Sequence, residues 1–85
     1  MEVKAGRITH YYNRIGVAVV EVLDAPLKLG DTIRIEGRRT DLTQMITSMQ
    51  IEHKNIEEAK RGETIGLKVV DRVMEGDLVF KVMEE

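Results

Sequence analysis

The sequence predicts an all-β fold, a small closed antiparallel barrel of six strands. Apolar and polar residues alternate with period two in short segments, a pattern typical of strands that bury one face. A corner motif, glycine followed by an acid and then by alternating apolar residues, occurs at 30–33, 62–65 and 76–79. Because no crossover helices separate the strands, the sheet must curl to cover its core and its edges, which predicts a closed barrel.

Length and composition limit the class of protein. The chain has 85 residues, and we expect one domain over 1–85. Hydrophobic residues make up 42% of the chain and charged residues 33%, which is typical of a globular protein. Cysteine is absent, which excludes disulfides and thiolate chemistry. The formal charge of −2 argues against a protein that coats duplex nucleic acid. Without a long apolar run or a secretory signal, we expect a cytoplasmic protein with no membrane contact.

The first half of the chain predicts three strands. The first runs over 4–12 with a bulge or bend at Gly6, and Asn13-Arg14 then forms a tight hairpin turn. The β-branched segment 15–23 predicts a second strand buried on both faces. After the proline, 32–36 alternates cleanly and predicts the third.

The second half predicts three more strands, over 43–51, 65–69 and 78–82. In the long fourth strand, Met45 and Met49 share one face and are expected to fill the core, with Gln44 on the other face. The segment 56–61 is too short for a stable helix and is expected to be a loop.

The three acids of the corner motif have a structural explanation. Glycine supplies the positive φ that a turn needs, and the following acid can accept a backbone N–H at the strand entrance. We therefore predict structural, not catalytic, roles for Asp31, Glu63 and Asp77.

Two segments resemble domain 2 of elongation factor Tu. Residues 27–37, Leu-Lys-Leu-Gly-Asp-Thr-Ile-Arg-Ile-Glu-Gly, resemble its apolar-x-Val-Gly-Asp-x-Val-x-Ile-x-Gly segment. Residues 49–67 resemble, without gaps, its acidic turn and Ala-Gly-Glu-Asn-Val-Gly stretch. The resemblance covers nearly the whole chain and implies a stand-alone, six-stranded Greek-key barrel of the translation-protein type.

That resemblance implies contact with ribosomal RNA or with the aminoacyl end of tRNA. Gln50 lies where elongation factor Tu has a glutamate that binds the terminal ribose, and Glu52 lies where it has phenylalanine. His53 and Lys54 match the Arg-Lys pair that follows. The negative charge of Glu52 disfavours an approaching phosphate. The absence of the aromatic ring at this position also removes a surface on which a base could stack.

A second resemblance is closer in detail. Residues 6–13 and 40–49 resemble the C-terminal barrel domain of collagenase-like peptidases. Neither a nucleotide-binding domain nor a peptidase catalytic domain is expected within these residues, so neither resemblance implies GTP hydrolysis or proteolysis.

Basic loops supply the candidate binding surface. The predicted RNA- or partner-binding residues are Arg38, Arg39, Gln50, His53, Lys54, Lys60 and Arg61. If the loops after the third and fourth strands converge at one rim, their donors can hold phosphates. Alternatively, Asp41, Glu57 and Glu58 neutralise the basic side chains as ordinary surface pairs.

We predict no catalytic site, metal site, cofactor or nucleotide. His10 and His53 have no ligand spacing, and Ser48 lies outside any nucleophile elbow. Of the adjacent Tyr11 and Tyr12, one should point inward and one outward. Two functions remain: a non-enzymatic module that binds RNA or a ribonucleoprotein such as the ribosome, or a protein-interaction module that is accessory to a peptidase-like enzyme. A third alternative is self-assembly through an open edge of the barrel.

Overall fold

All regular structure in the described part of the chain is β-strand. A computed structural model describes residues 1–83. The strands are β1 (Glu2–Tyr12), β2 (Val17–Val22), β3 (Leu27–Lys28), β4 (Thr32–Glu36), β5 (Asp41–Met45), β6 (Met49–Ile51), β7 (Lys54–Ile56), β8 (Glu58–Ala59), β9 (Thr64–Lys68) and β10 (Leu78–Val82). The all-β prediction is confirmed, but the predicted number of strands is too low, because short segments also pair.

The main sheet is curled but open. Eight strands form one antiparallel sheet in the order β5-β4-β10-β1-β2-β9-β6-β7, and β3 pairs separately with β8. No ladder joins β5 to β9 or β7 among these strands, so the predicted closed barrel is wrong. The predicted fourth strand instead bends at 46–48, where its first half (β5) pairs with β4 and its second half (β6) pairs with β9.

The bend also changes which side chains face the core. Gln44 is buried before it, Ile46 is buried at its first position and Met49 is buried after it, whereas Met45 is 57% exposed. The prediction that both methionines fill the core is therefore wrong for Met45. An irregular residue within a strand shifts the alternation of faces by one position, and periodicity read across the bend misses that shift.

Strand β2 buries one face, although the sequence predicted burial on both. In β2, Ala18, Val20 and Val22 are fully buried and the residues between them are half-buried, so burial on both faces is wrong. A sheet that covers the core with one face leaves the other to solvent. In β10, Val79 is the buried residue and Phe80 lies half-buried on the outer face.

The core is aliphatic. Its largest fully buried side chains are Ile8, Leu27, Ile33, Ile35, Ile46, Met49, Ile65, Leu67, Val20, Val22, Val73 and Val79. Tyr11 packs against this core and Tyr12 is exposed, which confirms that the pair is split between the two sides. The segment 56–61, which was expected to be a loop, contains the short strand β8. Its Ala59 is fully buried and pairs with Leu27.

The corner motif forms the same turn three times. Gly30, Gly62 and Gly76 have φ of 89°, 94° and 91°. The carboxylate after each glycine accepts a backbone N–H: Asp31 from Lys28 at 2.9 Å, Glu63 from Lys60 at 2.6 Å, and Asp77 from Met74 at 2.9 Å. In all three turns the backbone N–H of the acid also donates to the backbone carbonyl of that same residue, at 3.1 Å. The predicted structural role of these acids is confirmed.

The β1–β2 hairpin has a longer turn than predicted. Ile15 and Gly16 both donate their N–H to the Tyr12 carbonyl, at 3.3 and 3.0 Å, so the turn spans 13–16. Gly16, with φ of 65°, ends it. The predicted two-residue turn at Asn13-Arg14 is therefore wrong.

A strained turn joins β6 and β7. Glu52 and His53 have φ of 50° and 66°, although both carry a Cβ. Two-residue hairpin turns of this kind favour Asn-Gly, because left-handed backbone costs other residues about 1 kcal/mol or more each.

We therefore expect the double substitution Glu52→Asn/His53→Gly to stabilise the fold by about 1 kcal/mol. The free energy of unfolding in urea measures the change. Glu52→Ala/His53→Ala is the matched control, since it removes both side chains but keeps the strain, and it should bring no gain. Equal stability of the two variants would contradict the expectation.

Candidate docking surface

Strand direction separates the predicted basic residues into two groups. Arg38 and Arg39 follow β4, whose last residue pairs with the first residue of β10. Lys60 and Arg61 precede β9, and Gly62 beside them donates its N–H to the carbonyl of Val22, the last residue of β2. These positions are at opposite ends of the strands, so the two loops do not converge at one rim.

The remaining predicted site residues lie with the second group. Lys54 begins β7 after the turn that contains His53, at the end of the sheet where β9 starts. Gln50 is exposed on β6, and its Nε2 donates to Oδ1 of Asn55 on β7 at 3.0 Å. This cross-strand bond occupies one of the two donor hydrogens of the Gln50 amide.

The other end of the sheet is a continuous surface built from three segments. We call it the hairpin end, and it consists of residues 11–16, 37–42 and 68–77. The Val69 N–H donates to the Gly16 carbonyl at 3.0 Å, and Lys68 Nζ donates to the Ile15 carbonyl at 2.7 Å. These bonds fasten the hairpin turn to the segment that follows β9.

Large apolar side chains are exposed at the hairpin end. They are Tyr12, Ile15, Val70 and Met74, with Val70 73% exposed. Met74 lines three adjoining depressions, one with Arg39, one with Arg38 and one with Tyr11. Neighbouring exposed apolar groups of this kind mark interaction surfaces, whereas scattered single ones do not.

Four arginines surround these apolar groups. Arg14, Arg38, Arg39 and Arg72 belong to the hairpin end, and within residues 1–83 none of them lies within ion-pair distance of an acidic side chain. By contrast, Arg7 pairs with Glu21 at 3.3 Å. A surface that mixes tyrosine, methionine and arginine has the composition of protein–protein interfaces.

The acid that follows Arg38 and Arg39 in the chain, Asp41, is already paired with another arginine. Nε of Arg34 donates to Asp41 at 3.0 Å, and Arg34 also contacts Glu36 at 2.9 Å and Glu2 at 3.4 Å. The hydrogen bond and the charge of Asp41 raise the pKa of Arg34, so this arginine stays cationic. The alternative that Asp41 neutralises Arg38 and Arg39 is therefore wrong, because Asp41 pairs with Arg34.

Titratable groups form no larger cluster in the described residues. His10 Nδ1 lies 3.1 Å from a carboxylate oxygen of Glu75, and both side chains are largely exposed. Between residues 1 and 83, no three His, Asp or Glu side chains are arranged to hold a metal ion. No helix in the same range has the length and apolarity needed to cross a membrane.

Sequence reasoning missed several of these residues. Val70 and Met74 lie outside regular strands, where alternation makes no prediction, and Arg72 is an isolated basic residue. One signal was available: Val70 directly follows Val69, which continues the inward phase of β9, so Val70 should face outward.

Proteins of similar sequence carry protease names. No protein-family model matches the chain. An uncharacterized protease of Methanocaldococcus jannaschii is 40% identical over 84 residues, which are 98% of this chain and 20% of that protein. A collagenase of Porphyromonas gingivalis is 28% identical over 81 residues, 94% of this chain and 20% of that protein. The chain thus spans about a fifth of the length of these curated relatives.

Two solved structures show the same architecture. They are crystal structures of the C-terminal domain of a putative U32 peptidase of Geobacillus thermoleovorans, one of them a selenomethionine variant. Their TM-scores are 0.84 and 0.86 at 20% and 21% identity, over 91% and 93% of this chain and 96% and 91% of theirs. The chain has the fold of that C-terminal domain. These similarities support the resemblance to collagenase-like peptidases. They give no support to the resemblance to elongation factor Tu.

Proposed function

We propose that the chain is a non-catalytic docking module that works with a peptidase-like enzyme and contacts it through the hairpin end. The observation that carries this proposal is the grouping of exposed apolar side chains with four arginines that have no acid partner among residues 1–83. The protease names of the relatives indicate the kind of partner. The shared fold is no evidence that the chain cleaves peptides, because a fold does not specify a chemical activity.

The chemistry of the surface favours a protein partner that bears carboxylates. An arginine without an internal ion pair breaks no existing pair when a partner's carboxylate approaches, so it gives up only its hydration, and a bidentate pair adds geometric specificity. The exposed Tyr12 and Met74 supply apolar contact area between the charges. Interface energy of this kind is concentrated in a few aromatic and arginine side chains.

RNA binding has less support. Lys54, Lys60 and Arg61 are separated from Arg38 and Arg39 by the length of the strands, so they do not form one continuous track for phosphates. Glu52 adds a negative charge beside the first of these residues. Phosphate contacts dominate RNA affinity, and the overall charge of −2 offers little steering toward RNA.

A binding measurement tests the proposal. The probe is the Methanocaldococcus jannaschii protease with the segment that matches this chain removed, its fold checked by circular dichroism. We expect the fluorescently labelled chain to bind it with micromolar affinity in anisotropy titrations. Arg39→Glu/Arg72→Glu should weaken binding at least tenfold, which corresponds to about 1.4 kcal/mol.

The matched control reverses two charges at the opposite end of the sheet. Lys60→Glu/Arg61→Glu should bind the protease within about twofold of the unaltered chain. Absence of binding, or loss only in the Lys60/Arg61 variant, would contradict the proposal. Retention of tRNA by the chain at about 50 mM salt, lost in that same variant, would favour RNA binding instead.

A further inference from the structure

We propose that the open edge of β5 binds an extended acidic peptide segment of the partner by strand addition, in the cleft between β5 and residues 71–74. This inference rests on the proposed function, because it specifies how a protein partner is held. The cleft has a volume of about 350 Å³ and is lined by Arg39, Thr40, Asp41, Leu42, Asp71, Arg72 and Met74.

The backbone of β5 has hydrogen-bonding groups on its outer side that no residue of the described chain uses. The Gly37 N–H donates to the Thr40 carbonyl at 2.8 Å, and the Ile46 N–H donates to the Asp31 carbonyl at 2.8 Å. Antiparallel pairs alternate between bonded and non-bonded, so these two bonds fix the parity of the whole β4–β5 ladder. The N–H and C=O groups of Asp41 and Thr43 therefore point away from β4.

No strand of the described chain covers that side. β5 is the first strand of the sheet order, with β4 as its sole neighbour in the ladder of the described chain. Unpaired strand edges are the sites where an extended peptide adds a strand, gaining affinity from main-chain bonds and specificity from alternate side chains.

A glutamine side chain marks where the cleft ends. Nε2 of Gln44 donates to the Lys68 carbonyl at 2.9 Å, and its Oε1 accepts the Val70 N–H at 2.9 Å. This bridge spans the gap between β5 and the end of β9. The cleft lies beyond the bridge, beside Asp41 and Leu42, so an added segment pairs with the first half of β5.

The lining indicates the chemistry of the occupant. Asp41 is held by Arg34, and the carboxylate of Asp71 accepts the N–H of Arg72 at 2.7 Å. The guanidinium groups of Arg39 and Arg72 have no acid partner in the described residues. A carboxylate on the peptide supplies the missing acid partner, while Leu42 and Met74 contact an apolar side chain of the peptide.

Two blocked peptides provide the probe: Thr-Val-Glu-Val-Glu-Val-Thr and the same sequence with lysine in place of glutamate. Titrated into the ¹⁵N-labelled chain, the acidic peptide should bind with a millimolar or lower dissociation constant and shift the amide signals of Asp41 and Thr43. The lysine peptide should bind at least tenfold more weakly. Equal binding of the two peptides would overturn the inference.

Substitution of the edge tests the main-chain contact. Thr43→Pro removes an N–H that the β4 ladder does not use, and edge strands tolerate proline on that side. We expect at least a fivefold loss of peptide binding, whereas Thr43→Val, which keeps the N–H, should lose less than twofold. If Thr43→Pro fails to fold, Arg39→Glu/Arg72→Glu replaces it, with a tenfold loss expected. Unchanged binding in the folded variant would overturn the inference.

Other outcomes separate this inference from the proposed function. If the unaltered chain and the Thr43→Pro variant bind the truncated protease equally well, docking on the protease is supported and strand addition at β5 is contradicted. If the acidic peptide binds but the protease does not, the proposed partner is wrong. A concentration-dependent dimer in gel filtration that Thr43→Pro abolishes would assign the edge to a second copy of the chain and overturn the peptide assignment.

Discussion

Gly6→Ala is expected to destabilise the fold by about 3 kcal/mol or more. Gly6 lies in β1 and pairs with Val22 on one side and Val79 on the other. A Cβ at this position would be in hard contact with the backbone carbonyl oxygen of Glu21 and 3.1 Å from its carbon. Since the obstacle is backbone, relief requires the β1–β2 ladder to separate. The free energy of unfolding in urea measures the effect.

Gly30→Ala is the matched control for that substitution. Gly30 has positive φ but no atom within 4 Å of the added Cβ, so its cost is conformational alone, about 1–2 kcal/mol. Gly6→Ala should therefore be clearly the more damaging of the two. A smaller effect at Gly6 than at Gly30 would show that β2 is not packed against β1 as described.

The second large effect is expected at Gln44. This side chain is 8% exposed and satisfies one backbone carbonyl and one backbone N–H across the open seam of the sheet. Gln44→Leu keeps similar bulk but leaves both backbone groups without their partner. At about 0.5–1.5 kcal/mol for each hydrogen bond lost at these part-buried groups, we expect a loss of about 1–3 kcal/mol.

Two measurements check the Gln44 prediction. Urea unfolding gives the stability, and amide hydrogen exchange at Val70 should accelerate because its acceptor is removed. Gln50→Leu is the control, since Gln50 is exposed and bonds another side chain, and it should change stability by less than about 0.5 kcal/mol. Equal effects of the two substitutions would contradict the assigned bridge.

Local features of the fold were predictable from the sequence, because each depends on a few adjacent residues. The corner turns need only a glycine and the acid that follows it, and strands such as β4 and β9 follow from alternation. The bend at 46–48 was not predictable, because Ile-Thr-Ser contains neither glycine nor proline. The open sheet follows from that bend, so the closed barrel was the wrong expectation.

The docking surface was less predictable, because it depends on which strands are neighbours. Alternation identifies a strand but not its direction relative to distant strands, so Arg39 and Lys60 could not be assigned to opposite ends. Arg72 joins Arg39 only because Gln44 fastens β5 to the segment after β9. That bridge links residues far apart in the chain and has no local pattern.

Mapping the partner's footprint tests the central claim most directly. The ¹⁵N-labelled chain is titrated with the truncated Methanocaldococcus jannaschii protease, and amide signals are followed residue by residue. We expect changes at Ile15, Arg39 and Met74, with the signals of His53 and Arg61 unchanged. Changes confined to His53 and Arg61, or a titration without any localised change, would contradict docking through the hairpin end.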